Sequence, residues 1–348
     1  MKKILVTGGS GFIGSNFLNM MVPRYSGYEF LNMDKLTYAS HPENIDVSVA
    51  QADNYNFIQL DISKRDLVYA AISSFNPDVV INFAAESHVD RSIETPGLFI
   101  KTNVQGTLNL LEACKNIWNN KKDKLFLHIS TDEVYGELGD TGLFTEETPY
   151  KPSTPYAASK AASDHLVMSY GRTFKLPVNI TNCSNNYGPN QHIEKLIPRM
   201  VCLATHGEIM TVHGDGTDVR DWLHVSDHCE AVWQVMVNGV RGESYNVGGD
   251  SERTNIHVIE RIREIIERET GLCLKDLLAY MPNRSGNDRR YGIDFSKIKN
   301  HLGWSPRINF QEGLEDTVKW YLDRRHRLSP ISMDSITQTW SGCGKGPS

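Results

Sequence analysis

The sequence predicts an α/β fold: a doubly wound parallel sheet with a smaller α/β domain packed over its strand edge. Three observations carry this. Short β-rich apolar runs alternate with helical stretches through the first half, a glycine-rich turn joins the first run to the first helix, and the rhythm loosens after about Cys183. The runs at 4–6, 30–33, 57–60, 79–83 and 125–129 are continuously apolar, as in parallel strands buried on both faces. A helix is predicted over 97–116, where Leu98, Val104, Leu108 and Leu111 recur at helical spacing, and another over 256–270 from Ile256, Ile259, Ile262 and Ile266. Later strands are short and separated by turns at Gly214, Gly216, Gly248 and Gly249. The expected division is 1–183 for the large domain with a return segment near 220–250, mainly 184–328 for the smaller one, and a weakly ordered tail at 329–348.

Composition narrows the function. Acids outnumber bases 42 to 36 in 348 residues, which argues against a protein that works by gripping nucleic acid. No apolar run approaches the roughly 20 residues of a membrane-spanning helix, and the start of the chain reaches glycine too soon for a signal peptide's apolar core. Cys114, Cys183, Cys202, Cys229, Cys273 and Cys343 form no Cys-x-x-Cys pair, so the expectation is a cytoplasmic protein without a metal site.

Thr7-Gly8-Gly9-Ser10-Gly11-Phe12-Ile13-Gly14 closes the first strand and opens a helix. Gly8, Gly11 and Gly14 permit a tight turn, close approach of backbone to a pyrophosphate, and close packing of helix on strand. The helix amino terminus then offers free N–H groups to the anion. Asp34 ends the second strand, where a carboxylate binds a ribose 2′-hydroxyl and repels a 2′-phosphate. The sheet is therefore read as Rossmann-type and the cofactor as NAD rather than NADP, with Lys35 a neighbouring base able to tolerate phosphate. Asp61-Ile62 closes the third strand, where an adenine ring would lie.

Tyr156 and Lys160 stand four apart at the start of a predicted helix and share one face. A phenol of pKa near ~10 is a poor base, but an adjacent ammonium favours its phenolate. Such a pair can take a proton from a secondary alcohol while hydride leaves for NAD. Alone, it is also the pattern of a half-buried aromatic with a snorkelling lysine. Asp132 and Glu133 follow Thr131 at the end of another predicted strand. Neighbouring carboxyl groups can be driven to different pKa values, one acid and one base. Elimination of water needs both; hydride transfer alone needs neither. The plainer reading of the pair is an acidic loop in water.

At this point the chain resembles the extended short-chain dehydrogenase/reductases and, more narrowly, the dTDP-glucose 4,6-dehydratase family. The likeness covers roughly 1–325. It rests on VTGGSGFIGSNF (6–17), MDKLTYAS (33–40), NFAAESHVDRSI (82–93), STDEVYGE (130–137), PYAASKAASDHLV (155–167), NCSNNYGPNQHIEKLIPR (182–199) and VRDWLHVSDH (219–228). The resemblance implies catalysis by Thr131, Asp132, Glu133, Tyr156 and Lys160. Tyr156 would take the 4-hydroxyl proton of a hexose, Glu133 the proton on carbon 5, and Asp132 would protonate the departing 6-hydroxyl, with Thr131 hydrogen-bonded to the substrate. It implies NAD contacts at Phe12, Ile13, Asp34, Lys35, Thr37, Asp61, Ile62, Ala84, Ala85, Ser87, Thr102, Tyr156, Lys160 and Asn186. Contacts to a nucleoside-diphosphate sugar fall on Ser87, Asn185, Lys195, Leu196, Arg220, Asn255 and the loop 283–287, which includes Asn283 and Asn287. Arg220 suits a bidentate pair with a diphosphate, and Lys195 would help neutralise it. A homodimer through helices near 97–117 and 155–172 is also implied.

The chain departs from that family where Asp-Arg-Pro-Gly-His-Asp is usual and Asn283-Arg284-Ser285-Gly286-Asn287-Asp288 stands instead. This leaves the nucleotide base open between dTDP and UDP. A 4-epimerase needs no acid/base pair after Thr131, and decarboxylases of the fold usually lack the aspartate, so Asp132 with Glu133 favours dehydration. A cofactor-binding regulatory protein is the non-enzymatic alternative. His88 and His224 lack metal-ligand spacing and read as polar pocket or core residues, and Arg324-Arg325-His326-Arg327 as a solvated helix end.

Overall fold

A computed structural model describes residues 1–118, 122–275, 277–283 and 286–324. Twelve strands are present among them: β1 (Lys2–Thr7), β2 (Tyr28–Asp34), β3 (Tyr55–Gln59), β4 (Val79–Asn82), β5 (Leu125–Thr131), β6 (Val178–Cys183), β7 (Asn185–Tyr187), β8 (Met210–His213), β9 (Val219–His224), β10 (Ser244–Val247), β11 (Glu252–Thr254) and β12 (Leu278–Met281). Seven form a wholly parallel sheet in the order β10-β6-β5-β4-β1-β2-β3. This is a Rossmann-type sheet. Its strand order reverses between β1 and β4, which opens a crevice at the strands' carboxyl ends.

Alternation along each strand feeds two cores. Ile4 and Val6 pack with Phe17, Leu18 and Trp233 on one face, and Leu5 packs with Ile72, Leu110 and Val167 on the other. The chain returns to this sheet late: β10 pairs with β6, and helix Val225–Asn238 lies against helix Phe12–Arg24, with Trp233 stacked on Tyr25 at 3.9 Å between centroids. A third core lies under helices Leu196–Thr205, Asn255–Thr270 and Phe310–Asp323, beside the small sheets β11-β9-β7 and β12-β8.

Two expectations are corrected. The run at 57–60 is not buried on both faces. β3 is the outermost strand, paired only with β2, and Phe57 is 41% exposed. The helix over 97–116 is not one regular helix either: Pro96–Phe99 leads into a π-helical stretch, Ile100–Gly106, and then helix Thr107–Ile117. The wider turn shifts the register, so Leu98 is exposed while Phe99, Thr102, Asn103 and Gly106 face inward. Residues 325–348, including the predicted tail and most of the basic run, lie outside the described residues, and Arg324 rests over the Trp320 ring at 4.6 Å.

Gly249 sits where β10 turns toward β11, and a Cβ there would lie 2.0 Å from the Trp222 carbonyl oxygen. Backbone cannot yield cheaply at that distance. Gly249→Ala is therefore expected to cost about 1–3 kcal/mol or more in urea unfolding; an unchanged midpoint would show that the turn relaxes freely.

Candidate active site

The phosphate loop is built by exclusion. Gly8 has φ +69°, and a Cβ on it would meet Ala84 N at 2.7 Å; one on Gly14 would meet Gly8 O at 2.3 Å. Only glycine fits either position. Helix Phe12–Arg24 starts at Gly11 with no side-chain cap, so its first N–H groups are left for a ligand. Asp34 is fixed before any ligand arrives: it accepts from Ser10 N at 2.9 Å, Leu36 N at 2.8 Å and Ser40 Oγ at 3.0 Å. Lys35 is drawn aside into an ion pair with Asp61 at 3.1 Å. Burial pushes the Asp61 carboxyl up, but Ser63 hydrogen bonds and Lys35 outweigh it and hold the group below its ordinary range.

Every residue expected to touch a cofactor (Gly8, Gly11, Phe12, Ile13, Gly14, Asp34, Lys35, Thr37, Asp61, Ile62, Ala84, Ala85, Ser87, Thr102, Tyr156, Lys160, Asn186) lines one cleft along the crevice. A glycine cradle, an open helix end and an anchored carboxylate at the second strand suit a dinucleotide with a free 2′-hydroxyl.

Thr131, Asp132 and Glu133 line the same cleft. Thr131 ends β5 and caps a 3₁₀ turn, Asp132–Tyr135, accepting from Glu133 N and donating to Asp132 Oδ1, each at 3.3 Å. Thr154 caps helix Pro155–Phe174 by accepting from Ala157 N, which places Tyr156 and Lys160 in its first turns, facing β5. Tyr156 is in hydrogen-bond contact with Thr131, and Lys160 Nζ donates to Ile129 O at 2.7 Å. Burial, then the Glu133 carboxylate, pushes the Tyr156 phenol well above its ordinary pKa. Burial also pulls the Lys160 ammonium down, against Asp164. Asp132 is only 2% exposed; burial first, then Glu133 and Asp221, push its carboxyl well above its ordinary pKa.

A second cavity adjoins the first. Glu133, Asn185, Asn186 and Lys195 line both, and Leu196, Arg220, Asn255 and Asn287 line the second. Lys195 Nζ donates to Ser87 O at 2.8 Å. Arg220 is buried over the Tyr291 ring at 4.6 Å, and its fork donates to Val219 O, Arg289 O, Asp288 O and, at 3.5 Å, Asn287 Oδ1. All four acceptors are amide carbonyls, so its charge is not neutralised by contact. The fork is nevertheless occupied, and a bidentate pair with a diphosphate requires the long Asn287 bond to open. Asn287 also donates to Asp218 Oδ2 at 2.9 Å. Asn283 stands outside both linings, beside Gly214. His88 and His224 cap helices, accepting from Arg91 N and Ser226 N.

Sequence reasoning passed over Glu194, which lines both cavities. His88, Arg91 and His192 surround it, each at 3.7 Å. Burial opposes its ionisation, but His192, Lys195 and His88 bring its pKa down to about 2. It sits inside the motif quoted for 182–199, so only its role was missed. Tyr291 and Asp288, hydrogen-bonded to one another beside Arg220, had no local signal.

A family model described as GDP-mannose 4,6 dehydratase matches residues 5–317. The dTDP-glucose 4,6-dehydratase of Xanthomonas campestris pv. campestris is 53% identical over 91% of this chain and 92% of its own. The chain belongs to the dTDP-glucose 4,6-dehydratase family. Among solved structures, the dTDP-glucose 4,6-dehydratase of Bacillus anthracis in complex with NAD is 44% identical, with TM-score 0.84 over 94% of this chain and 98% of that one. DesIV, the Streptomyces venezuelae dTDP-glucose 4,6-dehydratase with NAD bound, is 39% identical, with TM-score 0.85 over 94% and 99%.

The raised pKa of Asp132 has a measurable consequence. A folded pKa raised above the unfolded one contributes stability that is present below the unfolded value and lost as pH rises through the folded one. The loss is about 1.4 kcal/mol for each pH unit between the two. Asp132→Asn removes that slope, so the variant is expected to gain on the parent in urea unfolding from about pH 4 upward. Parallel curves at every pH would show Asp132 ionised.

Proposed function

We propose that the protein dehydrates dTDP-glucose to dTDP-4-keto-6-deoxyglucose, with NAD as a cofactor restored in each turnover. The carrying observation is the pair Asp132 and Glu133 at the end of β5, one buried, the other facing both cavities, beside Tyr156 and Lys160. NAD supplies a temporary hydride acceptor, drawing on carbon 4 of the sugar and giving back at carbon 6. Tyr156 takes the proton of the 4-hydroxyl, with Lys160 stabilising the phenolate. Thr131, next to both Tyr156 and Asp132, orients that hydroxyl. The carbon-4 ketone acidifies the proton on carbon 5, which Glu133 removes and later restores. Asp132 gives its proton to the 6-hydroxyl, which leaves as water. Arg220 and Lys195 hold the diphosphate.

A 4-epimerase would have no use for an acid raised in pKa by burial beside a second carboxyl group, and a regulatory protein would have no use for the full set. The family's curated relatives are named for dTDP-glucose, which supports that nucleotide over a UDP-sugar. Buried Cys114, Cys183, Cys202 and Cys229, which form no disulfide among the described residues, suit work in a reducing cytoplasm.

With dTDP-glucose carrying deuterium at carbon 4, the product is expected to have lost water and to carry the label on its methyl group by mass spectrometry. Intact sugar, or label washed into solvent, would overturn the reading.

Homodimerisation is supported by apolar surface on the segments that the resemblance pairs: Leu98 is 38% exposed, Ile100 52% and Phe174 41%. The joint change Leu98→Asp and Ile100→Asp is expected to convert a dimer to a monomer in sedimentation; a monomeric parent would rule the dimer out.

A further inference from the structure

Behind the Tyr156/Lys160 pair lies a polar cluster that the dehydration chemistry leaves unused. Asp164 follows Lys160 by one helical turn and Tyr156 by two, on the same buried face of helix Pro155–Phe174. It is 1% exposed. Its Oδ2 accepts from Ser130 Oγ at 2.7 Å, Tyr150 OH at 3.0 Å and Asn182 Nδ2 at 3.3 Å. Its Oδ1 lies 3.5 Å from His128 Nε2, which is itself 3.3 Å from Lys160 Nζ.

The tautomer of His128 is set from the other side. Thr7 Oγ1 accepts from Ala84 N and donates to Asn82 Oδ1 at 2.6 Å, so the Asn82 amide turns its NH₂ to His128 Nδ1 at 3.1 Å. Nδ1 therefore accepts, and Nε2 lies between Lys160 Nζ at 3.3 Å and Asp164 Oδ1 at 3.5 Å, without a hydrogen bond to the carboxylate. The orienting chain begins at Thr7, the first residue of the phosphate loop.

Tyr156 and Lys160 share one labile proton. After the pair loses it, either the phenolate stands beside an ammonium or the phenol stands beside a neutral amine. Burial disfavours charge on both, and only the first state is a base for the sugar. We propose that Asp164, held by Ser130, Tyr150 and Asn182, is a positioning residue that keeps the buried positive charge on Lys160, so that Tyr156 is the member that surrenders the proton. Position makes it selective, since Asp164 stands one helical turn from Lys160 and two from Tyr156, and its charge favours the Lys160 ammonium. The ionisable groups facing the cluster are His128 from β5, Tyr135 from the turn after it, Tyr150 from the next loop, Cys183 from β6, and Tyr156 and Lys160 on the helix itself, with Asp132 and Glu133 beyond Tyr156. The packed segments Ile100–Gly106 and Thr107–Ile117 contribute Asn103 and Thr107, which do not ionise. Burial raises the Asp164 carboxyl to about 6, so it still carries charge at neutral pH.

The inference rests on the Tyr156/Lys160 reading, but its test uses no turnover, so it fails separately from the dehydration. The NAD-loaded protein is titrated by near-ultraviolet absorbance, and the Tyr156 phenolate is the difference between parent and Tyr156→Phe. Asp164→Asn is expected to reduce that phenolate signal about tenfold, the equivalent of one pKa unit, and Asp164→Glu to retain it. Should the amide variant fail to fold, Tyr150→Phe, which withdraws one hydrogen bond from the carboxylate, is expected to lower the signal about twofold near neutral pH. A parental phenolate signal in a folded Asp164→Asn, or in Tyr150→Phe where the amide variant does not fold, would overturn the proposal.

Discussion

The site depends on one constraint: groups that must carry or exchange protons are held out of water at the end of a strand buried along its whole length. β5 lies between β4 and β6 and is buried from Leu125 to Thr131. A helix covers the face on which His128 and Ser130 stand, and the crevice opens at its carboxyl end. Polar groups placed there lose hydration and must be satisfied by neighbours. Those that are not fully satisfied have their proton affinity shifted. Asp132 Oδ2 and Asp164 Oδ1 are both buried without a hydrogen-bond partner. One belongs to the proposed acid of the reaction and the other faces the histidine behind the lysine. Two of the buried atoms left without a partner thus lie where proton affinity has to be tuned.

The fold meets this constraint with the same elements that bind the ligands. Thr7 closes β1 at the phosphate loop and also starts the hydrogen-bonded chain through Asn82 to His128. Asn103, on the inner side of the π-helical stretch, binds the Glu86 backbone on one side and Ser159 on the other, tying a wall of the cleft to the helix that carries Tyr156. Gly106 completes that wall, since a Cβ there would lie 2.6 Å from Ile62, in the adenine region. The irregular helix is thus a way of packing closely against both cofactor side and catalytic helix.

The sheet, the phosphate loop and the grouping of the proposed catalytic residues in one cleft were legible in the sequence because each depends on local signals: apolar runs, glycines before a helix, a four-residue spacing. The errors came where tertiary position overrides such signals. Phe57 reads as core but lies on an edge strand, because strand order is not encoded within the strand. Leu98 fits an inward helical stripe until the π-turn at Ile100–Gly106 rotates it outward. Glu194 was visible as a residue and not as a site, since its character comes from His88, Arg91 and His192, two of them about a hundred positions away. Tyr291 and Asp288 reach Arg220 only through folding of the second lobe. Asn283, carried over from a loop motif, turns instead toward Gly214.

Two adjacent carboxyl groups become different reagents through backbone geometry. In a strand, successive side chains point to opposite faces, and one of the two would be lost to the site. β5 ends at Thr131, and the chain enters a 3₁₀ turn in which neighbours are separated by about a third of a revolution. Asp132 is turned inward, under Thr131 and toward Asp221, while Glu133 remains half-buried at the boundary of both cavities. A single turn thus yields a buried acid of raised pKa and an accessible carboxyl group, both in reach of one sugar ring. Elimination across two adjacent carbons asks for that pairing: the base approaches from the open side, and the acid waits where a departing hydroxyl has no water to take its proton from. The two cavities meet at Glu133, so in the proposed reaction the residue that abstracts the proton would also mark where cofactor and sugar come together.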